Sequence, residues 1–319
     1  MRLAFVFPGQ GSQAIGMMRG FEASPVVRAT FDEASAVLGQ DLWQLVSAGP
    51  EADLNSTVNT QPVMLTAGIA AWRAWQAANG PAPALLAGHS LGEYSALVAA
   101  GALTFADALP LVRFRAQAMQ EAVPAGVGAM AAILGLDDAG VAAACAEASA
   151  QSGEIVEPVN FNAPGQLVIA GHRGAVERAA AAAKARGAKR AVLLPVSAPF
   201  HSSLLQPAAD RLEQRLREVP FQTPRIPVLH NVDVAEHAAP DEIRSALAAQ
   251  AAHPVRWVEI IRAMAARGIT HVVECGPGKV LAGLSKRIVP ELTGLALNDA
   301  EAIASARAAC TTGAAGAQP

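Results

Sequence analysis

The sequence predicts an α/β protein in which helices cover a parallel sheet and a second, smaller unit is inserted midway. Three observations carry this. Short β-rich runs alternate with Ala-rich helical stretches along most of the chain. In the middle, the rhythm changes to β-α-β-β-α-β. Finally, 52% of the 319 residues are hydrophobic against 16% charged, which is enough apolar surface to offset backbone entropy and exclude disorder.

Taken in order, Leu3 to Phe7 reads as a buried strand, and Gln61 to Ala78 as a helix with apolar residues at helical spacing. Ala84 to Ala87 is a second buried strand, followed by a helix from Leu91 to Ala100. Thr104 opens a helix that Pro124 and Gly126 stop near Val123. The middle segment gives strand Ala129–Leu134, helix Asp137–Gln151, strands Glu157–Phe161 and Gln166–Ala170, helix Ala175–Arg186 and strand Ala191–Val196. That is the split order of a ferredoxin-like unit, a complete small fold, so it reads as an insertion over residues 125–198. The main unit then comprises residues 1–124 and 199–310. Its second part has a helix Leu204–Val219, a strand Ile226–Asn231, helices Asp241–Ala252 and Val255–Arg267, a strand His271–Glu274, a helix Lys279–Ile288 and a last strand Gly294–Leu297. Residues 311–319 are small and polar and read as a flexible tail.

Composition narrows the function. A formal net charge of −3 argues against a nucleic-acid binder that relies on a basic surface. The most tempting apolar stretch, Tyr94 to Val112, is interrupted by Ser95, Thr104, Asp107 and Pro110 and cannot span a bilayer. Met1 to Pro8 is too short for a secretory signal. Three scattered cysteines, Cys145, Cys275 and Cys310, suit a reducing compartment and lack zinc spacing. The expectation is a cytoplasmic protein with neither membrane span nor nucleic-acid partner.

The strongest local signal is Gly88-His89-Ser90-Leu91-Gly92, a G-x-S-x-G sequence between a buried strand and a helix. A sharp turn there would lift the Ser90 hydroxyl to a helix N-terminus, where the dipole favours developing negative charge. The plainer alternative is a surface turn whose serine caps a helix. A nucleophilic serine needs a base, and seven histidines compete for that role. His89 adjoins Ser90 and should project away from its hydroxyl, packing behind the turn. His201 follows Pro199-Phe200 where the inserted unit rejoins the rest, so it would reach a crevice between the two units. Phe7-Pro8-Gly9-Gln10-Gly11-Ser12-Gln13 follows the first strand, and its glycines permit close backbone approach to a ligand. It reads either as an oxyanion-hole loop or, since Gly9-x-Gly11-x-x-Ala14 has Asp32 near the expected offset, as a dinucleotide loop. A P-loop motif is absent.

Five motifs in order resemble the malonyl-CoA:acyl-carrier-protein transacylases of fatty-acid synthesis. They are Phe7 to Gln13, Gly88 to Glu93, Asn160-Phe161-Asn162-Ala163-Pro164-Gly165-Gln166, Phe200-His201-Ser202 and Gly276-Pro277-Gly278-Lys279. The resemblance spans residues 3 to 298 and implies a hydrolase-like core carrying a ferredoxin-like subdomain. It further implies that Ser90 accepts the malonyl group as an ester and that His201 is the general base. The backbone carbonyl of Gln250 would orient His201 in place of a carboxylate. The backbone N–H groups of Gln10 and Leu91 would form the oxyanion hole. Arg115 would pair with the free malonyl carboxylate, a task that suits a planar guanidinium better than a lysine. The residues alone leave Arg113 and Arg115 as two helix arginines on different faces.

Phe200 resembles the malonyl-selective form of its motif, as against methylmalonyl. Two basic clusters, Lys189-Arg190 and Lys286-Arg287, read by default as solvated faces; the resemblance assigns Arg190 and Lys286 to coenzyme A phosphates and an acidic carrier surface. The implied partners are an acyl carrier protein and a coenzyme A thioester, with no bound cofactor or metal and a monomeric chain. Cys275 departs from the usual aliphatic residue at its position and reads as a small buried hydrophobe. Two rivals remain. A serine hydrolase or thioesterase would share the elbow, though no Asp occupies the expected order. A nucleotide-binding module would use Gly9-x-Gly11 instead.

Overall fold

The computed structural model describes residues 1–196 and 198–312. The first strand, β1 (Leu3–Phe7), is buried along its whole length, as expected of a central parallel strand. It is followed by α1 (Pro25–Leu38), α2 (Leu42–Ala48), α3 (Glu51–Leu54) and the long α4 (Thr57–Ala77). Then come β2 (Leu85–Gly88), α5 (Gly92–Ala99) and α6 (Phe105–Glu121). The middle of the chain supplies β3 (Gly128–Leu134), α7 (Asp138–Ala150), β4 (Val156–Ala163), β5 (Gln166–His172), α8 (Arg173–Ala185) and β6 (Arg190–Leu193). A short 3-10 turn at Ser203–Leu205 leads into α9 (Gln206–Arg217), and β7 (Val228–Leu229), α10 (Pro240–Gln250) and α11 (Trp257–Ala266) follow. The last elements are β8 (His271–Cys275), α12 (Val280–Ile288), β9 (Thr293–Leu297) and α13 (Ala300–Thr312).

Two sheets result. One has the order β7-β2-β1-β8-β9 with every pair parallel, and the other the antiparallel order β4-β5-β3-β6 of a ferredoxin-like unit. Alternation along β1 sends Phe5 against Trp72 and Trp75, at ring distances of 5.4 and 5.3 Å, while Ala4 and Val6 join the cluster holding Trp257, Ile260 and Ile261. Helices therefore cover both faces. The antiparallel sheet is tied to the rest of the chain where Val255, just before α11, donates its N–H to the Val159 carbonyl on β4 at 2.8 Å and accepts from Phe161 N–H at 3.0 Å.

Several expectations need correction. The sequence reading placed no helices over α1 to α3 or α13. The first of these start on Pro25 and on the Asp41 cap, whose carboxylate accepts from Gln44 N–H. Thr311 and Thr312 are helical, not tail, and residues 313–319 lie outside the described residues. The strand read over Ile226–Asn231 contracts to Val228–Leu229, because Pro227 has no N–H to give the ladder and His230 and Asn231 turn inward to other partners. The strand read over Ala191–Val196 ends at Leu193 for the same reason, Pro195 lying just beyond. All three cysteines are free and buried, Cys275 completely.

Candidate active site

The turn from β2 into α5 is sharp because its glycines allow it. A Cβ on Gly88 would stand 1.8 Å from the Gly92 carbonyl carbon, and one on Gly92 would stand 2.0 Å from the Phe7 carbonyl oxygen. Ser90 at the apex takes φ +52°, and His201 takes φ +66°. Among the described residues only Asn79 and Val234 are other non-glycines with positive φ, so two of four such strained positions meet at one place.

They meet through a hydrogen bond. Ser90 Oγ is 2.7 Å from His201 Nε2, and His201 Nδ1 is 2.8 Å from the Gln250 carbonyl oxygen at the end of α10. A carbonyl can only accept, so Nδ1 carries the proton and the Nε2 lone pair faces the serine hydroxyl. His201 is 3% exposed; burial, reinforced by the Arg115 charge, pushes its pKa down to about 3. The ring is thus neutral across the physiological range and can take the Ser90 proton.

Arg115, on α6, is buried with 1% exposure. Its Nη1 donates to Gln61 Oε1 at 2.8 Å, and its Nη2 to Gln250 Oε1 at 2.8 Å and Ser90 Oγ at 3.2 Å. The guanidinium packs 5.5 Å over the Tyr94 ring, and Nε is buried with no acceptor. Among the described residues no carboxylate lies within ion-pairing distance of it. The nearest carboxylate influence on it is Glu93, which reaches it only through the Gln250 amide, so a buried cation with no carboxylate in direct contact leaves room for an anion to pair with it.

Gln10, Gln61, His89, Ser90, Leu91, Arg115, Met119, Met130, Asn160, Leu194, Val196, Phe200 and His201 enclose a cavity of about 120 Å³. That is well below the roughly 300–1,000 Å³ of pockets for drug-sized ligands, and it suits a short acyl group, not a fatty chain. A larger groove of about 670 Å³, between α6 and α9, has Arg113, Arg211 and Arg215 but no nucleophile–base pair.

A family model described as the acyl transferase domain matches residues 4–308. The chain belongs to the acyl transferase family. It is 58% identical over 306 residues to the malonyl CoA-acyl carrier protein transacylase of Escherichia coli, covering 96% of this chain and 98% of that one. Among solved structures, the acyl-carrier-protein S-malonyltransferase of Burkholderia pseudomallei superposes with a TM-score of 0.95 at 60% identity, covering 97% of this chain and 100% of the other. A malonyl-transacylase in complex with a type II PKS acyl-carrier protein also gives 0.95, at 52% identity over 97% of this chain and 100% of that one.

In this acyl transferase the structure gathers Ser90, His201, Arg115, Gln250, Phe200, Leu91 and Gln10 at one place. Among the described residues neither the Gln10 nor the Leu91 backbone N–H has a protein acceptor, and a Cβ on Gly9, next to Gln10, would lie 3.7 Å from Leu91 N, so the two loops are in contact. Arg190 and Lys286 stand apart, exposed on β6 and α12, and neither lines the cavity. His89 does not merely pack behind the turn: its Nε2 is 2.8 Å from Asn162 Oδ1 and it forms part of the cavity wall. The dinucleotide reading of Gly9-x-Gly11 finds no support, because no helix opens on those glycines and Asp32 is paired with Arg28 on α1 at 2.9 Å.

Sequence reasoning missed Gln61, Asn160 and a buried cluster behind the elbow. In that cluster His230 Nδ1 is 2.7 Å from Glu93 Oε1, and Asn231 N–H and Gln250 Nε2 each donate to Glu93 Oε2 at 2.9 Å. Burial opposes charge on His230, but the Glu93 carboxylate outweighs it and raises the ring's pKa. Glu93 and Asn160 stand in quoted motifs, yet nothing in one sequence distinguishes them from neighbouring polar residues. Among the described residues, no helix is long and apolar enough to cross a membrane and no His, Cys, Asp and Glu cluster could hold a metal ion.

Proposed function

We propose that this chain transfers the malonyl group of malonyl-CoA to the phosphopantetheine thiol of an acyl carrier protein, through an ester on Ser90, supplying extender units for fatty-acid synthesis. The observation that carries the reading is the buried Arg115 guanidinium, without a carboxylate partner and 3.2 Å from a serine hydroxyl that is itself 2.7 Å from a neutral imidazole. An acyl group with a free carboxylate completes that site; an acetyl group leaves the cation unpaired. The named relatives, one of them bound to a carrier protein, support the same substrate and partner.

His201 Nε2 takes the Ser90 proton as Oγ attacks the thioester carbonyl. The backbone N–H groups of Gln10 and Leu91 receive the oxyanion, the C–S bond breaks, and His201 returns the proton to the leaving thiolate. The carrier thiol then gives its proton to His201 and attacks the ester, Ser90 recovers a proton as it leaves, and malonyl-carrier departs. The Gln250 carbonyl holds the imidazole in the required tautomer without a third carboxylate. Phe200 narrows the cavity toward malonyl over methylmalonyl, and Arg190 and Lys286 serve coenzyme A phosphates and the carrier's acidic face. We assign residues 125–198 to an inserted subdomain and 1–124 with 199–310 to the core, in a monomeric, cytoplasmic enzyme that requires no bound cofactor.

Intact-mass measurement tests this. Malonyl-CoA alone should give a protein heavier by one malonyl group, and a free-thiol carrier should remove it. Rapid release of free malonate without an acceptor would instead favour a hydrolase.

A further inference from the structure

We propose that Glu93, which touches neither the cavity nor the serine hydroxyl, is a positioning residue: it fixes the polarity of the Gln250 side-chain amide and thereby places Arg115 and the Ser90 peptide. The inference rests on the acyl-transfer reading above and concerns how that site is held. Gln250 is completely buried and bonds in four directions. Its main-chain oxygen accepts from His201 Nδ1 at 2.8 Å, and its Oε1 from Arg115 Nη2 at 2.8 Å. Its Nε2 donates to the Ser90 carbonyl and to Glu93 Oε2, both at 2.9 Å. Turned end for end, the amide would set its NH₂ against a guanidinium and its oxygen against a carboxylate and a carbonyl. Both faces would then oppose like with like. With the acceptor-only Glu93 in place, a single orientation remains.

The same carboxylate anchors the other half of the elbow. Asn231 N–H donates to Glu93 Oε2 at 2.9 Å, Asn231 Oδ1 accepts from Ser90 N–H at 2.8 Å, and Asn231 Nδ2 donates to the Gly88 carbonyl at 2.7 Å. Both polar groups of the Ser90 backbone are therefore gripped by side-chain amides of two residues that each bond Glu93, Gln250 through its amide and Asn231 through its main-chain N–H. A serine at φ +52° persists only where its surroundings over-determine it, and this network does so. His230, fully buried with Nδ1 2.7 Å from Glu93 Oε1, completes the anchor.

The test compares Gln250→Met, which removes the amide but keeps the main-chain carbonyl facing His201, with Glu93→Gln and with the double variant in the full chain. Rates of Ser90 acylation are followed by intact mass with malonyl-CoA and acetyl-CoA, and thermal melting is recorded beside them. Positioning of Arg115 predicts that Gln250→Met lowers the malonyl-to-acetyl ratio of kcat/KM by about tenfold. Glu93→Gln should lower it in the same direction, and the double variant should lose no more than Gln250→Met alone, since both act along one path. A lowered melting temperature with the ratio within about twofold of the parent would mean a purely structural role and would overturn the proposal, as would simple addition of the two effects. Should Glu93→Gln fail to fold, Glu93→Asp, which keeps the charge but draws the carboxylate back by one methylene, takes its place, and a malonyl-to-acetyl ratio within about twofold of the parent overturns the proposal. A parent that takes up no malonyl group sinks the acyl-transfer reading itself, and this proposal with it.

Discussion

Replacing Arg115 with alanine is the sharpest probe of substrate choice. The guanidinium has five N–H donors; three of its contacts in this structure are to Gln61, Gln250 and Ser90, and Nε–H has no acceptor. A carboxylate received there gains charge-assisted hydrogen bonds of about 1.5–3 kcal/mol each. Truncation also strips donors from Gln61 and Gln250, but that penalty falls on every acyl group alike. The difference between malonyl and acetyl should therefore shrink by roughly 2–4 kcal/mol, about 30- to 700-fold in relative kcat/KM. Removing the cation also lifts one of the two main influences that depress His201, so the acidic limb of the pH profile should move to higher pH. Rapid-quench acylation with each thioester, read by intact mass across pH, measures both effects. A variant that keeps the parent's preference for malonyl would remove Arg115 from the substrate's path.

Ser90→Ala should show no mass gain with malonyl-CoA; an adduct on another residue would refute the serine ester. His201, held near a pKa of about 3 in the native state against an ordinary value of about 6.5 when unfolded, contributes stability that is complete above pH 6.5 and lost as pH falls toward 3. Urea melts at pH 7, 5 and 4 should accordingly show a shallower acid dependence in His201→Gln than in the parent, by a few kcal/mol at the lowest pH, and identical slopes would contradict the burial argument. Arg190→Glu with Lys286→Glu should raise the KM for carrier and coenzyme A thioester several-fold at low ionic strength, with the effect fading toward 1 M salt as charges are screened. A salt-independent or absent effect would return both residues to the solvated surface.

What the sequence made legible follows physical locality. β1 matches its predicted bounds because five consecutive apolar residues leave one solution, and the elbow was visible because its glycines and serine are contiguous. The βαββαβ unit was legible from periodicity alone. Longer-range facts were not. Pairing Ser90 with His201 crosses 111 positions; the place where the inserted unit rejoins the rest pointed to His201 among seven histidines, and the family resemblance was needed to make the choice firm. That Arg115 stands buried without a carboxylate, and that Glu93 gathers His230, Asn231 and Gln250, depends on how α5, α6 and α10 converge, which no local pattern encodes. Helices α1 to α3 escaped notice because only α2 has a side-chain cap, on Asp41, and α2 and α3 are just seven and four residues long.

The placement of Arg115 beside His201 carries an opposition that the chemistry resolves. A cation near the base disfavours the imidazolium that forms when Ser90 gives up its proton, so Arg115 adds to burial in weakening His201 as a base. A carboxylate paired with the guanidinium cancels that charge locally and frees the Nη2 donor that otherwise rests on Ser90 Oγ at 3.2 Å. An acyl group with a free carboxylate would therefore do more than fit: by neutralising Arg115 it would lift the charge part of the depression of His201, burial remaining, and release the serine hydroxyl together. An uncharged acyl group of the same length does neither. On the proposed mechanism, discrimination would then reside in the chemical step as well as in binding, and a cavity of only about 120 Å³ would favour malonyl over the smaller acetyl group by charge and not by room.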